Sequence, residues 1–168
     1  MQKNLQKLNL DNLEEFKKIR LEALQKEPQA FGDDYENLKN KKENYWRKQL
    51  TNKKQVWYGV FDETNLVGIG SIKYAKKRVF THIAHLSGIY VKPSHRGQGI
   101  GRILFEKRVE EAFLNSKVIK LKLIVNINQT NAINLYKSCG FNIVGEMRNE
   151  FKIGTVYHNA YLMELIRN

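Results

Sequence analysis

The chain has 168 residues, 42% of them apolar and 27% charged, which are ordinary values for one globular domain and exclude wholesale disorder. No apolar run approaches the length of about 18 residues that a transmembrane helix needs, and the amino terminus lacks the apolar core of a signal peptide. The single cysteine, Cys139, cannot form an internal disulfide and fits a reducing compartment. We therefore expect residues 1–168 to form one domain of a cytoplasmic protein that has no membrane partner.

The charge balance is basic, with 29 lysines and arginines against 17 acidic residues and a net charge of +12. Such a surface attracts anions, among them nucleic acid, a phosphorylated cofactor or acidic lipid. The basic residues are spread from Lys3 to Arg167, and no helix-turn-helix or RNA-binding aromatic pattern accompanies them. The charge therefore permits an anionic ligand, and we expect no nucleic-acid partner.

Two helices are predicted near the amino terminus, after a short apolar segment. Asp11, with a glutamate three residues later, resembles an N-terminal cap, and apolar residues then recur at helical spacing as far as Leu24. Pro28 and Gly32 interrupt this pattern. A second helix is predicted over about 34–50.

The rest of the chain alternates between strand patterns and helix patterns. Strands are predicted at 56–61, 66–75, 81–91 and 118–125, helices from the glycine-rich stretch to about Asn115 and over 131–139, and a final hairpin at 142–153 and 155–166. Gly140 is the predicted C-terminal glycine of the short helix. The order predicts an α/β (α+β) fold, with a mixed, mostly antiparallel sheet of six or seven strands flanked by about four helices.

The stretch SHRGQGIGRILF, at 94–105, carries the strongest chemical signal. A strand that leads into Gly-x-Gly-x-Gly and then a helix offers free N–H groups and a helix dipole to an anion. Glycine lets a ligand approach where a Cβ would collide. Arg96 and Arg102 can add charge-assisted hydrogen bonds. The stretch therefore indicates a site for phosphate.

Two familiar phosphate motifs do not fit this stretch. The dinucleotide fingerprint needs a third glycine where Arg102 stands, and no acidic residue follows about 20 residues later. A P-loop needs Lys and then Ser or Thr after its last glycine, but Gly101 is followed by Arg102 and Ile103. A turn that merely packs a helix against a strand is the structural alternative.

The stretch does resemble another known motif. V-x-P-x-x-R-G-x-G-I-G is similar to the acetyl-CoA-binding motif of the GCN5-related N-acetyltransferases, and it is read here as Val91, Pro93, Arg96, Gly97, Gly99, Ile100 and Gly101. NAINLYKSCGF, at 131–141, is similar to the A-x-x-L-Y-x-x-x-G-F segment of that family. The resemblance covers essentially the whole chain. It implies an enzyme that transfers acetyl from acetyl-CoA to a primary amine of a small molecule or a peptide, and a homodimer, which is common among similar proteins.

The resemblance also implies where the cofactor binds. In that family the glycine loop holds the pyrophosphate of coenzyme A through main-chain N–H groups, and the preceding strand pairs with the pantetheine amides and polarises the thioester carbonyl. The implied cofactor-binding residues are Ile89, Tyr90, Val91, Arg96, Gly97, Gln98, Gly99, Ile100, Gly101 and Arg102. The family often has an asparagine where this chain has Gln129, so Asn128 or Asn131 is the expected substitute.

Two residues are the implied acid and base of the reaction. Tyr136 matches the family's usual general acid, which protonates the departing thiolate; its alternative role is aromatic packing. His85 stands where related sequences often carry the glutamate that accepts the amine proton, and it is otherwise a half-exposed strand histidine. His82 is a weaker rival. A primary amine with a pKa of about 10.4 needs such a base at neutral pH.

The acceptor is expected between the first two helices, where Phe31 and Tyr35 wall a pocket. Asp33 or Asp34 either attracts the amine or caps the second helix. Cys139 is expected to be a buried structural thiol, and the four histidines lack metal-ligand spacing, so no metal is predicted.

One rival class remains besides a nucleic-acid-binding protein. A module that binds acyl-CoA without turnover is favoured by the missing glutamate, whereas the retained Tyr136 favours an enzyme. The motifs identify the acetyl donor, and they do not identify the acceptor.

Overall fold

A computed structural model describes residues 3–167 and arranges seven strands into one sheet. The strands are β1 Lys3–Lys7, β2 Gln55–Asp62, β3 Asn65–Tyr74, β4 Ile83–Val91, β5 Lys120–Asn126, β6 Asn142–Ile153 and β7 Val156–Ile166. Their order across the sheet is β1-β2-β3-β4-β5-β7-β6, and every neighbouring pair is antiparallel except β4 and β5. The predicted mixed, mostly antiparallel sheet is confirmed.

Helices cover both faces of this sheet. They are α1 Leu13–Lys26, α2 Tyr35–Lys39, α3 Glu43–Thr51, α4 Ile100–Leu114 and α5 Thr130–Ser138. The first three pack on one face, over buried residues such as Trp57 and Ile69, and α4 and α5 pack on the other, over Tyr58 and Ile72. Neighbouring strand residues serve opposite faces because side chains alternate along a strand.

The predicted cap at Asp11 is wrong. Residues 10–12 form one turn of 3₁₀ helix that is capped by Asn9. The Asn9 side chain accepts a hydrogen bond from the backbone N–H of Asp11 at 2.8 Å, and the Asn9 N–H donates to the Asn12 side chain at 3.1 Å. The capping arrangement is therefore made by two asparagines, and α1 begins only after this turn, at Leu13.

The single helix predicted over 34–50 is also wrong, because the chain forms α2 and α3 with a break between them. Asp34 caps α2, since its side chain accepts a hydrogen bond from the N–H of Asn37 at 2.8 Å. The indole N–H of Trp46, a buried α3 residue, donates to the carbonyl of Lys41 at 3.3 Å. This bond and the burial of the ring stabilise the break.

A fork between β4 and β5 positions the site. These strands pair at three positions only, from Ile83 opposite Lys120 to His85 opposite Lys122. Further along, β4 has one residue more than β3 in the register, which forms a bulge, and Gly88 there has a φ of +66°. A Cβ on Gly88 would lie 2.8 Å from the Trp57 ring. The bulge therefore requires glycine on two independent grounds.

We expect Gly88→Ala to destabilise the protein by about 1–3 kcal/mol, because it forces a left-handed residue with a side chain against the Trp57 ring. Gly145→Ala is the matched control, since Gly145 also lies in a strand, has no positive φ and has no atom within 4 Å of an added Cβ. Urea unfolding of both variants is the measurement. Equal stabilities would contradict the requirement for glycine at the bulge.

Candidate active site

The glycine loop connects β4 to α4 in left-handed backbone. Residues Pro93–His95 form a 3₁₀ turn, and Gly97 and Gly99 follow with φ values of +75° and +78°. Gly99 is the N-terminal cap of α4, and a Cβ built on Gly97 or Gly99 would meet no atom within 4 Å. The loop is therefore shaped by backbone conformation, and the space beside both glycines is open.

This loop presents a row of free donors. None of the backbone N–H groups of residues 97–102 donates a hydrogen bond to another residue within 3–167. They lie at the positive end of the 15-residue helix α4. Free N–H groups at a helix N-terminus beside open space can bind a pyrophosphate.

The two flanking arginines bind neighbouring elements. Arg96 donates to the carbonyl of Val91 at 3.1 Å and forms a 2.8 Å ion pair with Glu27. Arg102 donates to the Ser138 hydroxyl at 2.8 Å and pairs with Glu106 at 3.0 Å. Their side chains thus hold the loop to α5 and to the end of α1, while their contact with a phosphate stays a prediction.

A small cavity of about 50 Å³ lies in the fork, between β4 and β5. Tyr136 of α5 lines it, with a buried ring that lies 4.6 Å from the ring of Phe105 between centroids. Burial raises the pKa of Tyr136 to about 12, although the positive charge of Arg108 opposes the shift. The phenol therefore keeps its proton at neutral pH, and Tyr136 both packs in the core and borders the cavity.

Arg108 of α4 is a buried cation that the sequence analysis missed. It is 1% exposed and lines the same cavity. Its Nη1 donates to the carbonyls of Ser71 at 3.2 Å and Ser87 at 3.1 Å, which joins β3 to β4 at the bulge. Burial lowers the pKa of Arg108 to about 10, so the guanidinium remains charged at neutral pH. The sequence spacing could have indicated this burial, because Arg108 is four residues from both Leu104 and Ala112 and therefore lies on the buried face of the helix.

Gly70 makes room for this guanidinium. A Cβ on Gly70 would lie 2.7 Å from the Arg108 Cζ and 2.9 Å from its Nη1. The glycine of β3 and the arginine of α4 are therefore one packing unit, although they are far apart in the chain.

Asn126, at the end of β5, is a second polar residue of the fork cavity that the sequence analysis missed. Its side-chain oxygen accepts a hydrogen bond from the N–H of Asn128 at 3.0 Å, whereas its buried Nδ2 has no partner within residues 3–167. Gln129 also lines the cavity, but Asn128 and Asn131 are not among its lining residues. The sequence feature that could have identified Asn126 is its position as a polar residue at the end of an apolar strand.

A larger cleft of about 510 Å³ opens on the face of the sheet that carries α1. It meets the fork cavity, because Ser87, Gly88 and Ile124 line both. Phe31 lines this cleft as expected. Tyr35 is not among its lining residues; it begins α2, where the Lys39 ammonium lies 5.7 Å from its ring.

The two aspartates that were expected to attract the amine or cap the second helix have different surroundings. Asp33 lines the larger cleft and forms a 3.0 Å ion pair with the buried Arg20, whereas Asp34 caps α2. The Arg20 guanidinium also lies 5.1 Å from the Phe31 ring and 5.0 Å from the Trp57 ring. The aromatic wall of the cleft thus packs around an ion pair whose two charges neutralise each other.

His85 lies at the start of the fork, as the last β4 residue that pairs with β5, and it lines the larger cleft. His85 remains partly exposed, but its partial burial lowers its pKa from the usual 6.5, and the nearby ammonium groups of Lys122 and Lys73 lower it further. The imidazole is therefore neutral at pH 7 and can accept a proton. His82 precedes β4 and is not among the residues that line either space.

Within residues 3–167, no group of three His, Cys, Asp or Glu side chains lies close enough to hold a metal ion. Cys139 is half-buried and unpaired. Across the same residues, every helix is too short or too polar to span a bilayer.

Comparisons with known proteins agree with this geometry. The model of the Acetyltransferase (GNAT) family matches residues 15–141. Spermidine N(1)-acetyltransferase of Vibrio cholerae is 25% identical over 139 residues, which cover 82% of this chain and 78% of that protein. The enzyme of the same name from Escherichia coli (strain K12) is 32% identical over 75 residues, which cover 45% of this chain and only 40% of the relative.

A solved structure shares the whole fold. It is yncA of Salmonella typhimurium with its cofactor acetyl-CoA, which superposes with a TM-score of 0.83 at 16% identity and covers 100% of this chain and 95% of that chain.

We expect Gly70→Ala to destabilise the protein by about 1–3 kcal/mol, because its methyl group displaces the buried Arg108 guanidinium. In the double variant with Arg108→Ala the clashing Cζ, Nε and Nη1 atoms are gone, so most of the Gly70→Ala loss should disappear. Urea unfolding of the two single variants and the double variant measures this coupling. Losses that simply add would show that the two residues are not one packing unit.

Proposed function

This chain belongs to the acetyltransferase (GNAT) family and is an N-acetyltransferase, and we propose that it transfers acetyl from acetyl-CoA to a primary amine of a small molecule or a peptide by direct attack. One observation carries the proposal: a cavity that holds a protonated phenol meets a cleft that holds a neutral imidazole, and they meet at the bulge of β4. The donor and the acceptor can therefore approach the same peptide groups from opposite faces of the sheet.

On the donor side, the free N–H groups of residues 97–102 bind the pyrophosphate of coenzyme A in this proposal. The pantetheine arm then enters the fork beside Ile89, which lines the cavity, and pairs with the β4 backbone. Tyr90 contributes through its main chain, because its hydroxyl points to α1 and donates to Glu22 at 2.9 Å. Val91 contributes in the same way. The acetyl-CoA bound to yncA supports this choice of donor.

The proposed reaction uses His85 as the base and Tyr136 as the acid. His85 takes a proton from the acceptor ammonium, directly or through water, and the free amine attacks the thioester carbonyl. A β4 N–H near the bulge stabilises the oxyanion. The new C–N bond forms, the amine nitrogen loses its second proton to solvent, and the C–S bond breaks. The sulfur keeps that electron pair and takes the phenol proton of Tyr136, which solvent then replaces.

The binding-module alternative explains only part of this geometry. A module that binds acyl-CoA without turnover needs the loop and the fork, and it has no need of a neutral base in an adjoining cleft. His85 and Tyr136 therefore favour catalysis over binding alone. The test is release of free coenzyme A thiol from acetyl-CoA across a panel of amines.

The proposal includes a cytoplasmic location and a homodimer. The unpaired Cys139 fits a reducing compartment. The edge strand β6 exposes Ile143 and Val144 to solvent, which suits a second copy. Sedimentation of the purified chain tests the dimer.

We expect Tyr136→Phe to lower kcat by on the order of 10²-fold, because the thiolate then leaves without an acid. Gly99→Glu tests the cofactor site instead. The introduced carboxylate should occupy the space for the pyrophosphate, repel it and abolish acetyl-CoA binding. Calorimetry with acetyl-CoA and a thiol-release assay separate these effects. Unchanged turnover in Tyr136→Phe would remove Tyr136 as the acid, and unchanged affinity in Gly99→Glu would remove the loop as the pyrophosphate site.

The pH profile tests His85. A base must be neutral to work, and burial with two lysines holds the pKa of His85 below 6.5, so kcat/KM should fall only as the pH drops through that lowered value. Lys73→Met removes a positive neighbour, which raises the pKa and should move the acid limb to higher pH. Lys53→Met is the control, because Lys53 is exposed and lines neither the cavity nor the cleft. An acid limb that does not move in Lys73→Met would contradict the assignment.

A further inference from the structure

Three basic residues form a row across three neighbouring strands at the edge of the larger cleft. Lys73 of β3 pairs directly with His85 of β4, which pairs directly with Lys122 of β5. Residues that are opposite each other on neighbouring strands project from the same face of a sheet, about 4.8 Å apart. Lys73 and His85 line the cleft, and Lys122 follows at the start of the fork. We call Lys73, His85 and Lys122 the basic row.

The two lysines of the basic row have no carboxylate partner within residues 3–167. The contrast with Lys120 is direct, because this lysine is on the same strand and the same face and is bound to Glu164. Glu164 also lies directly opposite Lys122 on β7, so this one carboxylate lies between two lysines of β5 and forms its ion pair with Lys120. Lys73, on the other side of His85, has no carboxylate beside it in the register.

The other charges of the cleft do not cancel the basic row. Asp33 is already paired with Arg20 at 3.0 Å, so that pair adds no net charge. Glu150, on β6, is the remaining acid of the cleft wall. Lys73, Lys120 and Lys122 therefore face two carboxylates, Glu164 and Glu150, and the net charge around His85 stays positive.

The influence of the two lysines on His85 supports their closeness. Both of their charges lower the pKa of the imidazole, after the larger effect of burial. A substrate group that lies beside the imidazole is exposed to the same positive field. A second ammonium group of a polyamine would be repelled there, whereas a carboxylate would be attracted.

We propose that the acceptor is an α-amino acid or a related compound with a carboxylate beside its amine, and that Lys73 and Lys122 bind this carboxylate while the amine faces His85. This inference rests on the proposed N-acetyltransferase function. His85 stands between the two lysines, so a carboxylate held by both of them lies within a few ångströms of the imidazole. An amine and a carboxylate on the same carbon satisfy both contacts at once.

Matched acceptor pairs test the inference on the purified full chain with acetyl-CoA and a thiol-release assay. L-phenylalanine is compared with phenethylamine and L-lysine with cadaverine, so each pair differs by one carboxylate, and spermidine is the polyamine reference. We expect kcat/KM to be at least about tenfold higher for the amino acid of a pair, since one charge-assisted contact of about 1.5–3 kcal/mol corresponds to a factor of ten or more. Equal rates, or a preference for the decarboxylated amine or for spermidine, would overturn the inference.

Charge-removing variants locate the carboxylate. Lys73→Met and Lys122→Met should each raise the KM for the preferred amino acid about tenfold and should not raise the KM for phenethylamine. Lys53→Met is the matched control and should change neither value, because Lys53 is exposed and lines neither the cavity nor the cleft. Binding of acetyl-CoA, measured by calorimetry, should be the same in all three variants, which shows that each is folded. An unchanged KM for the amino acid in both variants would overturn the inference.

The outcomes separate this inference from the function on which it rests. Turnover of spermidine without turnover of any amino acid would uphold N-acetyl transfer and overturn the carboxylate site. Failure to release thiol with every acceptor, despite tight acetyl-CoA binding, would overturn both.

Discussion

The loss of pairing between β4 and β5 is the constraint on which the rest of the structure depends. Alternate peptide groups of a strand point to its two neighbours, so β4 loses half of its partners once β5 diverges beyond His85. Buried peptide groups without partners are costly. The bulge at Gly88 redirects the strand, and Arg108 satisfies the carbonyl of Ser87. The remaining groups of β4 are left for a ligand that can pair as a strand does, which is the role that the pantetheine amides take in the proposal.

Arg108 stabilises the fork between β4 and β5. Burying a guanidinium costs free energy of solvation. Here hydrogen bonds to backbone carbonyls of β3, of β4 and of its own helix offset that cost. Its charge lies beside the phenol of Tyr136 and opposes the rise that burial imposes on the pKa of that group. The residue that holds the bulge therefore also favours ionisation of the Tyr136 phenol, so one side chain affects both the shape of the fork and the chemistry proposed there.

The site could be predicted from the sequence wherever local backbone geometry decides the residue. Gly97 and Gly99 could be predicted because left-handed backbone favours glycine, and the motif pointed to Tyr136. Arg108 and Asn126 are different, because their roles arise from residues that the fold brings together. The same limit explains the division of the helix predicted over 34–50, since the hydrogen bond from Trp46 to Lys41 depends on where the ring is buried.

In the proposed mechanism, the basic row would couple recognition of the acceptor to the strength of the proposed base, His85. In the free protein burial, and after it the charges of Lys122 and Lys73, lower the pKa of His85 and favour the neutral imidazole, which can accept a proton but is a weak base. A carboxylate bound between the two ammonium groups cancels much of their field at the imidazole. The pKa of His85 then rises towards its usual value at the moment when an amine is in place. An acceptor without a carboxylate leaves the imidazole weak, so the same two charges that bind the correct substrate also disfavour proton transfer from the wrong one.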